Sequence, residues 1–337
     1  MKQLVTKLLP VLVLLGGTVA CQNAALPEED TRITFRLESP STRATGISAA
    51  DERAVSRWCV FVATGNSIAA TGVSDGNGAI DIEVNVGTYD IYAVANYESS
   101  FNPSSFRTVS SLLGYTSYLP NNRKDALVMY GEKTGTPITR TTGSIRIDVR
   151  RLCARVSVQR IGIDFSGRPA LSGKSFVIKD IYLSNVYLRA TLQEPSSWTM
   201  PESLYGNKMG VCSSSGSDLL SLVADRNIQA SVTAALPYTT PHHFYTYANG
   251  TLADSHATAW CHRYTRLVIA AYLGGELRYY TADIPDIRRN HTYVIEQAVI
   301  KGRGSDDPEQ PAPDDLVIVF STSTQPWASV INISETS

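Results

Sequence analysis

Apolar residues alternate with polar ones along most of the chain and helical periodicity is scarce, so the pattern predicts short strands. The first is early: Ile33, Phe35 and Leu37 share one face, and Thr34, Arg36 and Glu38 the other. Residues 58–62, Trp58-Cys59-Val60-Phe61-Val62, form a continuous apolar run, the pattern of a strand buried on both faces. The turn signal Ser74-Asp75-Gly76-Asn77-Gly78 precedes Ile80, Ile82, Val84 and Val86 at period two. Gly87-Thr88 then turns the chain into Tyr89, Ile91, Ala93 and Ala95. Strand, Gly-x-Tyr corner and returning strand is a combination common in small Greek-key sandwiches. Residues 97–125 are rich in Ser, Asn, Pro and Gly and read as a long surface loop with a short helix around 106–113. The alternating segment 143–149 closes a first domain near residue 150.

A second all-β run begins at 151–158 and continues at 176–188, with Ile178, Ile181, Leu183 and Val186 as its apolar members. Segments 230–236, 267–272, 279–284 and 293–300 complete a second sandwich, interrupted by a polar, turn-rich stretch at 190–218. Residues 302–311 are Gly- and Pro-rich and acidic, the composition of a loose linker. Beyond lie apolar segments at 316–320 and 327–333. The expected fold is therefore all-β. Two tandem sandwiches of Greek-key or transthyretin-like type span 44–150 and 151–301, and a linker with C-terminal strands spans 302–337.

The two ends of the chain match. Leu316, Ile318 and Phe320 share one strand face, as Ile33, Phe35 and Leu37 do. A groove vacated by one strand could receive the other. Burying three such side chains is worth roughly 5–9 kcal/mol before entropy costs, and each ladder hydrogen bond adds about 1 kcal/mol. This is β-strand addition, the physics of donor-strand complementation. The plain alternative is that both segments are ordinary strands of one closed monomer. Between the first strand and the body of the chain lies an isolated basic site, Ser41-Thr42-Arg43-Ala44, in a loop open to proteolysis.

The first 20 residues read as an export signal: Lys2 and Lys7, an apolar core at 8–15, then Gly16-Gly17-Thr18-Val19-Ala20. A small residue directly before Cys21 is the lipoprotein pattern, with Thr18 departing from the usual Leu; the alternative is simple secretion with Cys21 unmodified. Residues 21–43 are then a pro-leader carrying the first strand. With 43% hydrophobic and 18% charged residues the chain can build full cores, and a net charge of −1 gives no argument for nucleic acid. Tyr outnumbers Phe, 17 to 8, which favours strands with aromatic faces. Cys59 and Cys153 sit in strand-like runs and read as buried thiols, while Cys212 and Cys261 are a disulfide candidate.

Little else carries chemistry. His242, His243, His256, His262 and His291 match no structural zinc spacing. No nucleophile elbow, phosphate loop or dinucleotide fingerprint occurs, so no enzyme, metal or cofactor is expected. Asp306, Asp307 and Glu309 read as linker charge, and the aromatic run 243–247 as packing in preference to a ligand platform.

Taken end to end, the residues resemble the FimA-type fimbrillins, the major subunits of the lipoprotein-derived type V pili of Bacteroidia. The resemblance rests on Cys21, on Ile33-Thr34-Phe35-Arg36-Leu37 before Ser41-Thr42-Arg43-Ala44, and on the junction Val149-Arg150-Arg151-Leu152-Cys153-Ala154-Arg155-Val156. It also rests on 287–293 running into 302–309, and on the Trp327 region. It implies a pilus stalk subunit, lipidated at Cys21 and carried to the outer membrane. An arginine-specific protease would cut between Arg43 and Ala44, removing lipid and first strand together. The C-terminal strands of another copy, through Leu316, Ile318, Phe320, Trp327 and Ile331, would fill the groove in an extracellular fimbrium. Implied partners are other copies, anchor and tip subunits, the protease, and host or bacterial surface ligands. Arg53 and Arg57 are alternative cleavage candidates. Two other readings stay open: a tip or accessory adhesin of the same pilus, with a groove near 97–125 or the aromatic run, and a monomeric glycan-binding surface lipoprotein.

Overall fold

The structure, a computed structural model, describes residues 30–38, 52, 54–195, 204–205, 221–251, 263–309, 315–320 and 325–326. The chain is all-β. Its N-terminal half contains β1 (Asp30–Glu38), β2 (Arg57–Thr64), β3 (Ser67–Asp75), β4 (Ile80–Asn85), β5 (Gly87–Ala95), β6 (Thr116–Tyr118), β7 (Met129–Ile138), β8 (Ser144–Asp148) and β9 (Arg150–Arg151). A three-stranded sheet in the order β4-β1-β8 faces a five-stranded sheet in the order β3-β2-β5-β7-β9. The core between them includes Ile33, Phe35, Trp58, Val60, Ile82, Ile91 and Ile147.

The apolar run of β2 has a direct structural cause. Trp58, Val60 and Val62 face this first core, and Cys59, Phe61 and Ala63 face a second one behind the sheet. A strand covered on both faces has no polar positions to alternate. The Gly-x-Tyr corner carries the chain from one sheet to the other, since β4 and β5 belong to different sheets. The Tyr89 hydroxyl donates back to the Asn85 carbonyl at 3.0 Å, fixing the bend.

The segment 97–125 carries the expected short helix and many exposed residues, but part of it is packed into the core. It forms the short helix α1 (Val109–Leu113), capped by the Thr108 side chain accepting from Ser111 N. Phe101, Leu112 and Leu119 are buried in the second core, and the Phe101 ring meets Tyr115 edge-on, centroids 4.7 Å apart. Some of its polar residues meet around one buried acid. Glu98, buried, accepts from Ser117 Oγ at 2.7 Å, Tyr118 N at 2.6 Å and Asn121 Nδ2 at 2.8 Å. Glu98, Ser117 and Asn122 are buried, while most of the segment's other Ser and Asn residues face solvent.

The C-terminal half contains β10 (Cys153–Val158), β11 (Ile161–Ile163), β12 (Phe176–Ser184), β13 (Val186–Tyr187), β14 (Arg189–Thr191), β15 (Leu204–Tyr205), β16 (Ala224–Asp225) and β17 (Ala230–Ser231). It continues with β18 (His242–Tyr247), β19 (Thr265–Leu273), β20 (Glu276–Ile284), β21 (His291–Ile300), β22 (Leu316–Phe320) and β23 (Gln325–Pro326). One sheet runs β11-β21-β10-β18 with β22 and β23 on β21, and the other runs β16-β12-β19-β20 with β17 on β12. The halves are joined by the β6–β14 pair and by the second core, which runs from Phe61 and Val94 to Val156 and Ile269.

Candidate functional site

The first strand holds an unusual position. β1 is the middle strand of its sheet, antiparallel to β4 through Asp30↔Asn85 to Phe35↔Ile80 and parallel to β8 through Thr34↔Ser144 to Glu38↔Asp148. Ile33 and Phe35 are fully buried and Leu37 packs partly buried against the same core. On the outer face, Asp81 of β4 accepts from Arg32 Nη2 and Thr34 Oγ1, both at 2.7 Å. The Thr34 hydrogen bond and then Arg32 hold the Asp81 carboxyl below the usual carboxylate range. These outer contacts are exposed and weak; the inward apolar pair is what holds the strand.

Among the described strands of this sheet, β4 and β8 meet only through β1. Taking β1 away would leave a slot one strand wide, about 10 Å between its walls. The slot would have an apolar floor and a row of unpaired backbone groups along each wall. Such a slot demands another strand.

The predicted tail strand forms where expected, Leu316–Phe320, but it is docked on its own subunit and not free on a loose arm. β22 pairs antiparallel with β21 from Ile300↔Leu316 to Ile295↔Phe320, so that Ile318 lies opposite Ala298. Leu316 is buried. The arm is tied down as well: Tyr279 and Ser305 exchange backbone hydrogen bonds, and the Tyr280 hydroxyl donates to the Arg303 carbonyl at 3.0 Å. Asp315 accepts from Gly304 N at 2.9 Å and pairs with Arg168 at 3.1 Å. A Cβ on Gly302 would lie 1.6 Å from the Asp315 carboxylate, so a side chain there would displace Asp315 from these contacts. The physical reason for docking is the long outer edge of β21, whose inner edge is already filled by β10 and β11. Cys21, Arg43, Ala44, Trp327 and Ile331 lie outside the described residues, as do Cys212 and Cys261.

The remaining candidates are structural. Cys59 and Cys153 are free, buried thiols, and burial pushes Cys153 up to about 12. The aromatic run is β18, with Phe244, Tyr245 and Tyr247 buried. His242 pairs with Asp225 at 2.6 Å and Tyr238 Oη at 2.9 Å, and His243 Nδ1 lies 2.9 Å from Ser157 Oγ. Among the described residues, no group of three or more His, Cys, Asp or Glu is placed to hold a metal. Sequence reasoning missed Glu52, which sits buried against Arg155 and Tyr245. The available signal was Arg155 itself, a cation in the otherwise apolar β10.

The described fold matches solved structures almost end to end. A fimbrilin, FimA, from Porphyromonas gingivalis W83 superposes with a TM-score of 0.63 at 17% identity, covering 89% of this chain and 98% of that one. The chain has the fimbrillin fold. A candidate cell adhesion protein from Bacteroides eggerthii superposes equally well, with a TM-score of 0.63 at 17% identity over 89% of this chain and 97% of that one. The tip fimbrial protein Mfa3 from Porphyromonas gingivalis, with C-terminal truncation, shares the fimbrillin fold at a TM-score of 0.54 and 13% identity, over 87% and 99% of the two chains. No family model matches the sequence, and no curated protein matches it.

Proposed function

We propose that the chain is a structural stalk subunit of a surface pilus, matured by proteolysis at Arg43 and polymerised by strand exchange. The observation that carries this is the placement of β1. The first described strand is the middle of its sheet, with two core side chains fully buried, and among the described residues no other strand joins β4 to β8. Arg43 is the sole Lys or Arg between β1 and Glu52, the two fixed points that bracket it. A cut between Arg43 and Ala44 would release β1 together with a lipid on Cys21. The precursor then waits at the outer membrane, and the mature subunit belongs to an extracellular fimbrium.

The incoming strand is the tail of another copy, with Leu316, Ile318 and Phe320 replacing Ile33, Phe35 and Leu37, and Trp327 and Ile331 beyond them. Energetics favour the transfer. Among the described residues β22 is an edge strand with one ladder, to β21, whereas the slot offers two ladders and an apolar floor. The contact is head to tail, so it propagates as a filament, with anchor and tip subunits as its end partners. The adhesin alternative calls for a binding surface at 97–125 or 243–247, and the aromatic side chains of both segments are used in packing.

The test is treatment of purified precursor with an arginine-specific protease, followed by electrophoresis without boiling. A ladder of multimers is expected. Clean cutting at Arg43 that leaves only monomer overturns the proposal.

A further inference from the structure

The chain that leaves β1 returns to the folded body at a buried lock. Glu52 is 2% exposed. Arg155 Nη1 donates to its two carboxylate oxygens at 2.9 and 2.8 Å, and the Tyr245 hydroxyl donates to Oε1 at 2.6 Å. Arg151 donates to the Glu52 backbone carbonyl from Nε at 3.2 Å and Nη2 at 2.7 Å. The donors come from β9, β10 and β18, so both main chain and side chain of this one residue are gripped by three strands at the junction of the two halves.

Two further arginines follow directly. Arg53 lies outside the described residues, but its neighbours are fixed: Glu52 on one side, and on the other Ala54, whose carbonyl accepts from Asn96 Nδ2 at 2.9 Å. Arg57 Nε donates to the Tyr97 carbonyl at 2.8 Å, and its guanidinium stacks 4.7 Å over the Tyr97 ring. Ser56 donates from N and Oγ to Asn96 Oδ1 at 2.9 and 3.1 Å. A protease must bind several residues in extended form on each side of the bond it cuts, so that stretch of backbone has to be released first.

We infer that Glu52 confines the maturation cut to Arg43 by holding the chain directly ahead of Arg53, so that the Arg53 bond is closed to the same protease. The inference rests on the maturation reading and adds its specificity determinant. Cutting after Arg53 requires extraction of the adjacent Glu52 from a buried ion pair, which is strongly resisted because it strips Arg155 of its carboxylate; the bond after Arg57 is closed independently, because Arg57 and Trp58 are paired in β2. Such a cut would also carry Glu52 away for good and leave the junction without its acid.

The test is a time course of full-length precursor with an arginine-specific protease, read by intact mass. Wild type should give one lasting new N-terminus, Ala44. Glu52→Gln and Glu52→Ala should add a terminus at Ala54, appearing roughly 100-fold faster or more than in wild type. Tyr245→Phe, which removes one hydrogen bond, should expose the same bond at an intermediate rate. If the Glu52 variants still stop at Ala44, the lock is refuted. It is equally refuted if they are cut throughout the chain while Tyr245→Phe behaves as wild type, since Glu52 then serves only global stability. Failure of the maturation reading looks different: wild type uncut at Arg43, or cut there without polymerising.

Discussion

Phe35→Ala tests whether β1 is a temporary part of the fold. The ring is fully buried between the two N-terminal sheets, and truncating such a side chain costs about 3–5 kcal/mol. For a cooperative unit of this size each kcal/mol lowers Tm by about 2–4 °C, so the precursor variant should melt roughly 6–20 °C below wild type. In the proposed filament the residue has left with the leader. Matured filaments of variant and wild type should therefore melt together. Ile91→Ala supplies the comparison: Ile91 is buried in the same core, but it stands on β5, which stays. It should lose about 2–5 kcal/mol in precursor and filament alike. Calorimetry on both forms, with the new N-terminus confirmed by mass, makes the measurement. If Phe35→Ala lowers the filament Tm as far as the precursor Tm, β1 persists after assembly and the exchange scheme is wrong.

Two other predictions concern the body of the protein. A Cβ on Gly131 would lie 2.0 Å from the Asp148 carbonyl oxygen, where β7 passes the end of β8; Gly131→Ala should cost about 1–3 kcal/mol or more in chemical denaturation, and an unchanged midpoint would show that the two strands do not approach so closely. His243 is pushed down to about 4, by burial first and by the Arg155 charge second. It therefore stays neutral in the fold while an unfolded chain takes up a proton below pH 6.5. Its contribution is complete above that pH and is lost as pH falls from about 6.5 towards 4, so the urea midpoint of wild type should drop between pH 7 and 5 by more than that of His243→Gln, and equal drops would clear His243.

Strands announced themselves in the sequence where one face meets a core and the other meets water. The spans 33–37, 80–86 and 316–320 all form, with ends shifted by a few residues. β3 went unread because an edge strand such as Ser67–Asp75, half-exposed on both faces, carries no strong alternation. The 97–125 segment misled in part because Phe101, Val109, Leu112 and Leu119, scattered among its exposed Ser and Asn residues, enter the second core, and Ser117 and Asn121 serve a buried Glu98. At the site, the apolar match between the two ends could be read directly. Two facts could not: that β1 lies between β4 and β8, and that Glu52 is gripped from 99 and more residues away. Both are consequences of tertiary pairing over long separations, which no local period records.

The same long separation governs the order of folding. Thr34 pairs with Asp81 across one wall and with Ser144 across the other. A chain growing from its N-terminus therefore delivers β1 long before either wall exists, and the closure entropy of the longer loop delays the second ladder further. The strand made early is among the last to be seated. Until then its Ile33 and Phe35 are an exposed apolar stripe, the part of the unfinished fold most open to pairing with other chains.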